Sequence, residues 1–169
     1  MNDIFDIVIR ALFIGIGATL VMDLWGVFQK HVLGVQPLNY CLLGRWIGHF
    51  PRGQFVHANI AQSARVPGEC QLGWSAHYGI GIGFAALLLA LWGKQWAQNP
   101  TLGPALVVGI GTIVAPFFLL QPGMGAGIAA SKTPRPNAAR LRSLVTHTIY
   151  GVGLYLSGCI WAFIYSSRA

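Results

Sequence analysis

Four long apolar runs constrain this chain more than anything else in it. They cover about residues 7–28, 72–92, 102–120 and 144–165, and about twenty consecutive apolar residues suffice to cross the hydrocarbon core of a bilayer. Inside hydrocarbon every backbone N–H and C=O needs an internal partner, so runs of this length are read as helices. Of the 169 residues, 54% are hydrophobic and only 9% charged, whereas a soluble domain carries about a quarter charged residues. The expectation is an all-helical polytopic protein: one membrane domain over 1–169, with four transmembrane helices and no soluble domain of any size.

The chain opens on Asp3 and Asp6 rather than on a basic stretch, and no Ala-x-Ala site follows the first run. The first run is therefore read as a span and not as a cleaved signal. A net charge of +7 would suggest nucleic acid in a soluble protein. Here it has a topological reading, because cytoplasmic loops of membrane proteins are rich in Lys and Arg. Loops one and three hold Lys30, Arg45, Arg52, Arg65, Lys132, Arg135, Arg140 and Arg142; the other side holds Arg10, Lys94 and Arg168. Eight against three puts both termini in the periplasm. Arg10 and Lys30 flank the first span and are expected to snorkel to its two interfaces.

The loop 29–71 is the longest. Leu42, Leu43, Trp46, Ile47 and Phe50 fall on one helical face, with Arg45, His49 and Arg52 away from it. That spacing predicts a short interfacial helix whose cations reach anionic headgroups. A second short helix is expected over about 55–64, carrying His57, before Pro67-Gly68 turns the chain back. In the third span, Pro104 sits in the first turn and is tolerated, while Pro116 should kink the helix. Gln121-Pro122 reads as its stop, and 132–142 as an exposed basic connection.

An internal repeat divides the spans into two parallel hairpins. Gly15-Ile16-Gly17 in span one matches Gly109-Ile110-Gly111 in span three; His77 precedes Gly81-Ile82-Gly83-Phe84 as His147 precedes Gly151-Val152-Gly153-Leu154. Small residues on these faces suit close helix packing, within one chain or in a homo-oligomer.

The polar exceptions inside the spans carry the functional expectation. A charged Asp at a helix centre costs roughly 2.5–3.5 kcal/mol on insertion scales, so such a residue turns toward protein or a water-filled cavity. Asp23 shares a face with Gly15, Thr19 and Gly26. At 1.5 Å per residue, Asp23, His77 and His147 each lie on the order of 5–10 Å inside the same membrane boundary. Gln121 reaches that boundary, and Tyr150 lies one turn after His147. Two imidazoles and a carboxylate suit a divalent metal with open positions. Facing histidines also suit a haem, and an Asp/His chain suits a proton relay. Against these stands a purely structural role, in which the histidines hydrogen-bond Thr19, Ser75, Thr146 or backbone and only fix the packing.

Other motifs carry less. Gly123-Met124-Gly125-Ala126-Gly127 leading to Lys132-Thr133 is not a phosphate loop: Ser131 and Ala126 stand where glycines are required, and no buried strand precedes it. The glycine amides with Lys132, Arg135 and Arg140 suit a lipid phosphate instead, although orienting charge explains the same cations. No catalytic set emerges, with neither a Gly-x-Ser-x-Gly elbow nor a His-Glu-x-x-His motif. Glu69 stands just before span two, where it pairs with Arg65 or approaches the polar layer, and a lipid-acting enzyme is the third reading. Cys41, Cys70 and Cys159 show no metal spacing and are read as unpaired thiols.

The stretches Gly44-Arg45-Trp46-Ile47-Gly48-His49, Gly73-Trp74-Ser75-Ala76-His77-Tyr78, Gln121-Pro122-Gly123-Met124-Gly125-Ala126-Gly127 and Arg140-Leu141-Arg142-Ser143-Leu144 together resemble a family of small bacterial inner-membrane proteins classed only as a domain of unknown function. The resemblance implies a bacterial inner membrane and four spans; it supplies no activity and no site residues. The functional expectation is thus a small-ligand site, for a metal ion, haem or proton, built from Asp23, His77 and His147 with Tyr150 and Gln121 beside them.

Overall fold

The computed structural model describes residues 3–166. Arg168, one of the three cations assigned to the far side, lies outside them. Helix α1 runs Asp3–Val32 without a proline to interrupt it, and α2 is Tyr40–Gly48. Helix α3 is Glu69–Trp96, with a break at Gly93, and α4 is Leu102–Gly111. A π-helical turn, Pro116–Leu120, leads into the single turn α5, Gln121–Met124, and α6 is Pro136–Ser166. No strand occurs among the described residues. Four segments are long and apolar enough to cross a membrane: Ile4–Val32, Glu69–Trp96, Leu102–Met124 and Pro136–Tyr165. That pattern marks a multi-pass membrane protein.

Several boundaries differ from those read in the sequence, each for a local reason. Proline lacks an N–H and its ring crowds the carbonyl four residues back. Accordingly the third span is interrupted just before Pro116: α4 ends at Gly111, residues 112–113 form a turn, and helical structure resumes at 114 and passes into the wider turn Pro116–Leu120. Nor does Gln121-Pro122 stop it. Both lie in the first turn of α5, where a missing N–H costs nothing, and the stop comes at Gly125, whose φ of 95° suits glycine. Helix α6 opens on Pro136, so Arg140 and Arg142 stand on the helix and not on an extended connection. The helix expected over 55–64 is reduced to a 3₁₀ turn, Ile60–Gln62, capped by the Asn59 side chain.

The chain forms two compact units: one from 1–37, 78–112 and 146–169, the other from 38–77 and 113–145. In the first unit Ile14, Ala18, Leu88 and Leu154 are fully enclosed, with Trp96 and Trp161 at the margin. Its helices approach through glycine. A side chain on Gly15 would meet the Ile82 backbone, one on Gly109 the Gly151 backbone, and one on Gly153 the backbone of Ala18. Leu20, Leu24, Val107, Leu156 and Phe163 point outward, as lipid-facing residues do. Arg10 does not snorkel. It is 4% exposed, donates to Asp6 at 2.8 Å, and lies over the rings of Trp161 and Tyr165.

In the second unit α2 packs on the first turns of α3 around Leu43, Trp46 and Ile60. The approach is close: a β-carbon on Gly44 would strike the Glu69 carbonyl oxygen, and one on Gly73 that of Tyr40. Cys41 and Cys70 meet there as a disulfide, with Cα atoms 3.9 Å apart. The unpaired-thiol reading is therefore corrected for these two, whose proximity follows from the helix packing; Cys159 is free.

Candidate functional site

The polar groups of the first unit fall into separate clusters. The Tyr78 hydroxyl on α3 donates to Asp23 Oδ2 on α1 at 2.9 Å, and both residues are half-buried. On α6, His147 Nδ1 faces the Gly109 carbonyl at 3.3 Å and Thr112 Oγ1 at 3.1 Å, while Thr112 itself donates to Gly109 at 2.7 Å. An N–H at Nδ1 satisfies that carbonyl and leaves Nε2 as an acceptor. Tyr150 is buried and its hydroxyl donates to the Gly81 carbonyl at 2.6 Å. Thr19 donates to Gly15 in the same manner. Three of these ties use neutral hydroxyls on backbone carbonyls; only Asp23 brings a carboxylate.

The second unit holds His77, buried, with its ring stacked on Tyr40 at 3.9 Å and edge-on to Trp74 at 5.9 Å. Gln121 also lies here, and its Oε1 is buried with no hydrogen-bond partner among the described residues. Of the cations expected to reach headgroups, Arg45 and His49 are turned inward, while Arg52 is exposed. Arg45 is 7% exposed and grips Glu69 through two bonds of 2.9 and 2.8 Å, while Nη1 reaches the carbonyls of Ile60, Ala61 and Ser63. The Glu69 hydrogen bond raises the Arg45 pKa further above its already high value, so the guanidinium is a permanent cation. Glu69 thus pairs with Arg45 rather than Arg65. His49 is 2% exposed; its Nδ1 lies 2.7 Å from His57 Nε2, and its Nε2 faces the Ala64 carbonyl.

Among the described residues, no three His, Cys, Asp or Glu side chains are grouped to hold a metal ion. The profile of a family described as protein of unknown function (DUF2938) matches residues 12–161. The chain belongs to that family. No curated protein and no solved structure matches it. The DUF2938 match takes in most of each of the four apolar helices and reaches both units, and the clusters above lie within it.

Sequence reasoning found Asp23 because a charge in an apolar run stands out. It passed over Tyr78 and Tyr40, whose roles depend on the rotation of their helices. Tyr78 follows His77 and so points about 100° away from it around the helix. It also passed over the His49–His57 pair, where an eight-residue spacing across a chain reversal carries no periodic signal.

Proposed function

We propose that this DUF2938 protein resides in a bacterial inner membrane and binds or conducts a small cationic species, a proton or small cation, at Asp23 and Tyr78. The observation that carries the reading is the 2.9 Å bond from the Tyr78 hydroxyl to Asp23. Elsewhere in the same unit the tie from Tyr150 to Gly81 joins two helices through a neutral hydroxyl, and the carboxylate of Asp6 is neutralised by Arg10. A carboxylate adds an insertion cost of roughly 2.5–3.5 kcal/mol and nothing to packing that a hydroxyl would not supply. A charge at this depth is therefore read as being there for its charge.

The metal and haem forms of the reading have less support. His147 Nδ1 is engaged by Gly109, and three-ligand groupings are lacking among the described residues, so no step is derived through either group. The close approaches of Gly15 to Ile82 and of Gly109 to Gly151, one position apart in the repeat register, support treating the two hairpins as repeats, and the eight-to-three distribution of Lys and Arg supports periplasmic termini.

An apolar carbodiimide tests the reading, since it reaches carboxyl groups inside hydrocarbon and forms a stable adduct. Mass spectrometry of treated membranes should find the adduct on Asp23, with labelling slowed when the bound cation is present in excess. An Asp23 left unlabelled while Asp6 reacts would refute a reachable intramembrane site. A second reading, in which the layer only fixes packing, is favoured by the closed geometry at His147 and Tyr150, and it expects Asp23 to be inaccessible.

A further inference from the structure

We propose that the second unit carries a site for one anionic phospholipid, formed by two adjoining cavities, and that Lys132 selects its phosphate. The site uses no residue of the Asp23 pair and rests only on the chain being a membrane protein. The first cavity, about 410 Å³, is walled by Trp46, Phe50, Phe55, Phe118 and Leu119. The second, about 390 Å³, is bordered by His57, Gly127, Ser131 and Lys132. Val56 and Pro122 line both, so the two adjoin. Each falls in the size range of small-ligand pockets.

Their chemistry changes where the membrane segment ends. The apolar cavity lies beside the last turns of Leu102–Met124, where the π-helical turn carries Phe118 and Leu119, 60% and 64% exposed. Such turns occur often at functional sites. The second cavity shares Pro122 with the first and gains Ser131 and Lys132 from beyond Met124. Lys132 is exposed there and has no ion pair among the described residues. No acidic residue occurs anywhere from 126 to 145, while Arg135, Arg140 and Arg142 do. Arg140 holds the loop by donating to the Ala129 carbonyl at 2.9 Å. An occupant must therefore be apolar at one end and anionic at the other, and must reach the site from the hydrocarbon. A membrane phospholipid with a net negative headgroup meets all three conditions. A free phosphate would leave the aromatic cavity unused, and a zwitterionic lipid would carry its own cation against Lys132.

The test is native mass spectrometry of detergent-solubilised protein exchanged into micelles with equal phosphatidylglycerol and phosphatidylethanolamine. Wild type should retain one phosphatidylglycerol in preference. Lys132→Ala should lower that retention about fivefold, from the contribution of one basic residue near a lipid surface. Arg52→Ala, an exposed cation of the same unit, should leave it unchanged. Phe118→Ser, at a site exposed enough to tolerate the change, should lower retention of both lipids. Equal retention of the two lipids, or an unchanged Lys132→Ala, would overturn the proposal. So would competition by inorganic phosphate together with a silent Phe118→Ser, because that pattern describes a phosphate site without a lipid. Circular dichroism of each variant separates lost binding from lost fold.

Discussion

At the scale of single residues, the carboxylate and the hydroxyls divide the work. The Tyr150 hydroxyl donates to the Gly81 carbonyl of a neighbouring helix, and a helix-to-helix bond of this kind is worth about 1 kcal/mol in a membrane protein. Tyr150→Phe should therefore lower stability by roughly 1 kcal/mol, read as the midpoint of denaturant unfolding in micelles. Asp23→Asn should behave differently. It removes a charge that opposes insertion and keeps an acceptor for Tyr78, so stability should hold or rise. A fall larger than that of Tyr150→Phe would mean Asp23 is there for packing. How much was legible follows from the same contrast. Asp23, His77 and His147 could be picked out because each breaks an apolar run. Their partners could not: Tyr78 meets Asp23 across 55 residues, and Arg45 meets Glu69 across 24, distances over which spacing says nothing of contact.

At the scale of elements, α2 is the piece whose role changed most. The apolar spacing of Leu42, Leu43, Trp46 and Ile47 announced a helix, and Tyr40–Gly48 is one. What the spacing could not show is its partner, since a helix lying on lipid and one lying on another helix need the same apolar stripe. The glycines were the available signal. Gly44 and Gly73 let the two backbones touch, which a lipid contact would not require. Gly44→Ala should push α2 from α3 and destabilise by about 1–3 kcal/mol, as overpacked sites do; thermal unfolding followed by circular dichroism would measure it. A melting curve equal to wild type would deny the contact. The span boundaries were legible to within about a turn, except at the start of the fourth, which opens at Pro136 rather than near 144. Inside the third span, Pro116 was expected to bend a helix that instead ends and restarts.

At the scale of the whole molecule, four apolar helices mark this DUF2938 member as a multi-pass membrane protein. Orientation joins the charge pattern to the cysteines. Cytoplasmic glutathione keeps thiols reduced, whereas disulfides persist on the oxidising side of a membrane. The Cys41–Cys70 disulfide tests the cytoplasmic placement of loops one and three proposed from the Lys and Arg count: on that placement the pair would be reduced in growing cells and would close when a permeant oxidant is added. Maleimide-polyethylene glycol added after denaturation would then shift all three cysteines before oxidation and Cys159 alone afterwards. A single shifted cysteine in both samples would place these loops in the periplasm and the termini in the cytoplasm. The central claim, an ionisable site at Asp23, is tested most directly by flux. Purified protein in vesicles with a trapped pH dye, under an imposed potassium diffusion potential, should acidify the lumen when the interior is negative. Asp23→Asn should reduce the rate to that of empty vesicles, and Tyr78→Phe should slow it. Wild type no faster than protein-free vesicles, with cations other than the proton equally excluded, would contradict conduction, and equal rates for wild type and Asp23→Asn would contradict the site.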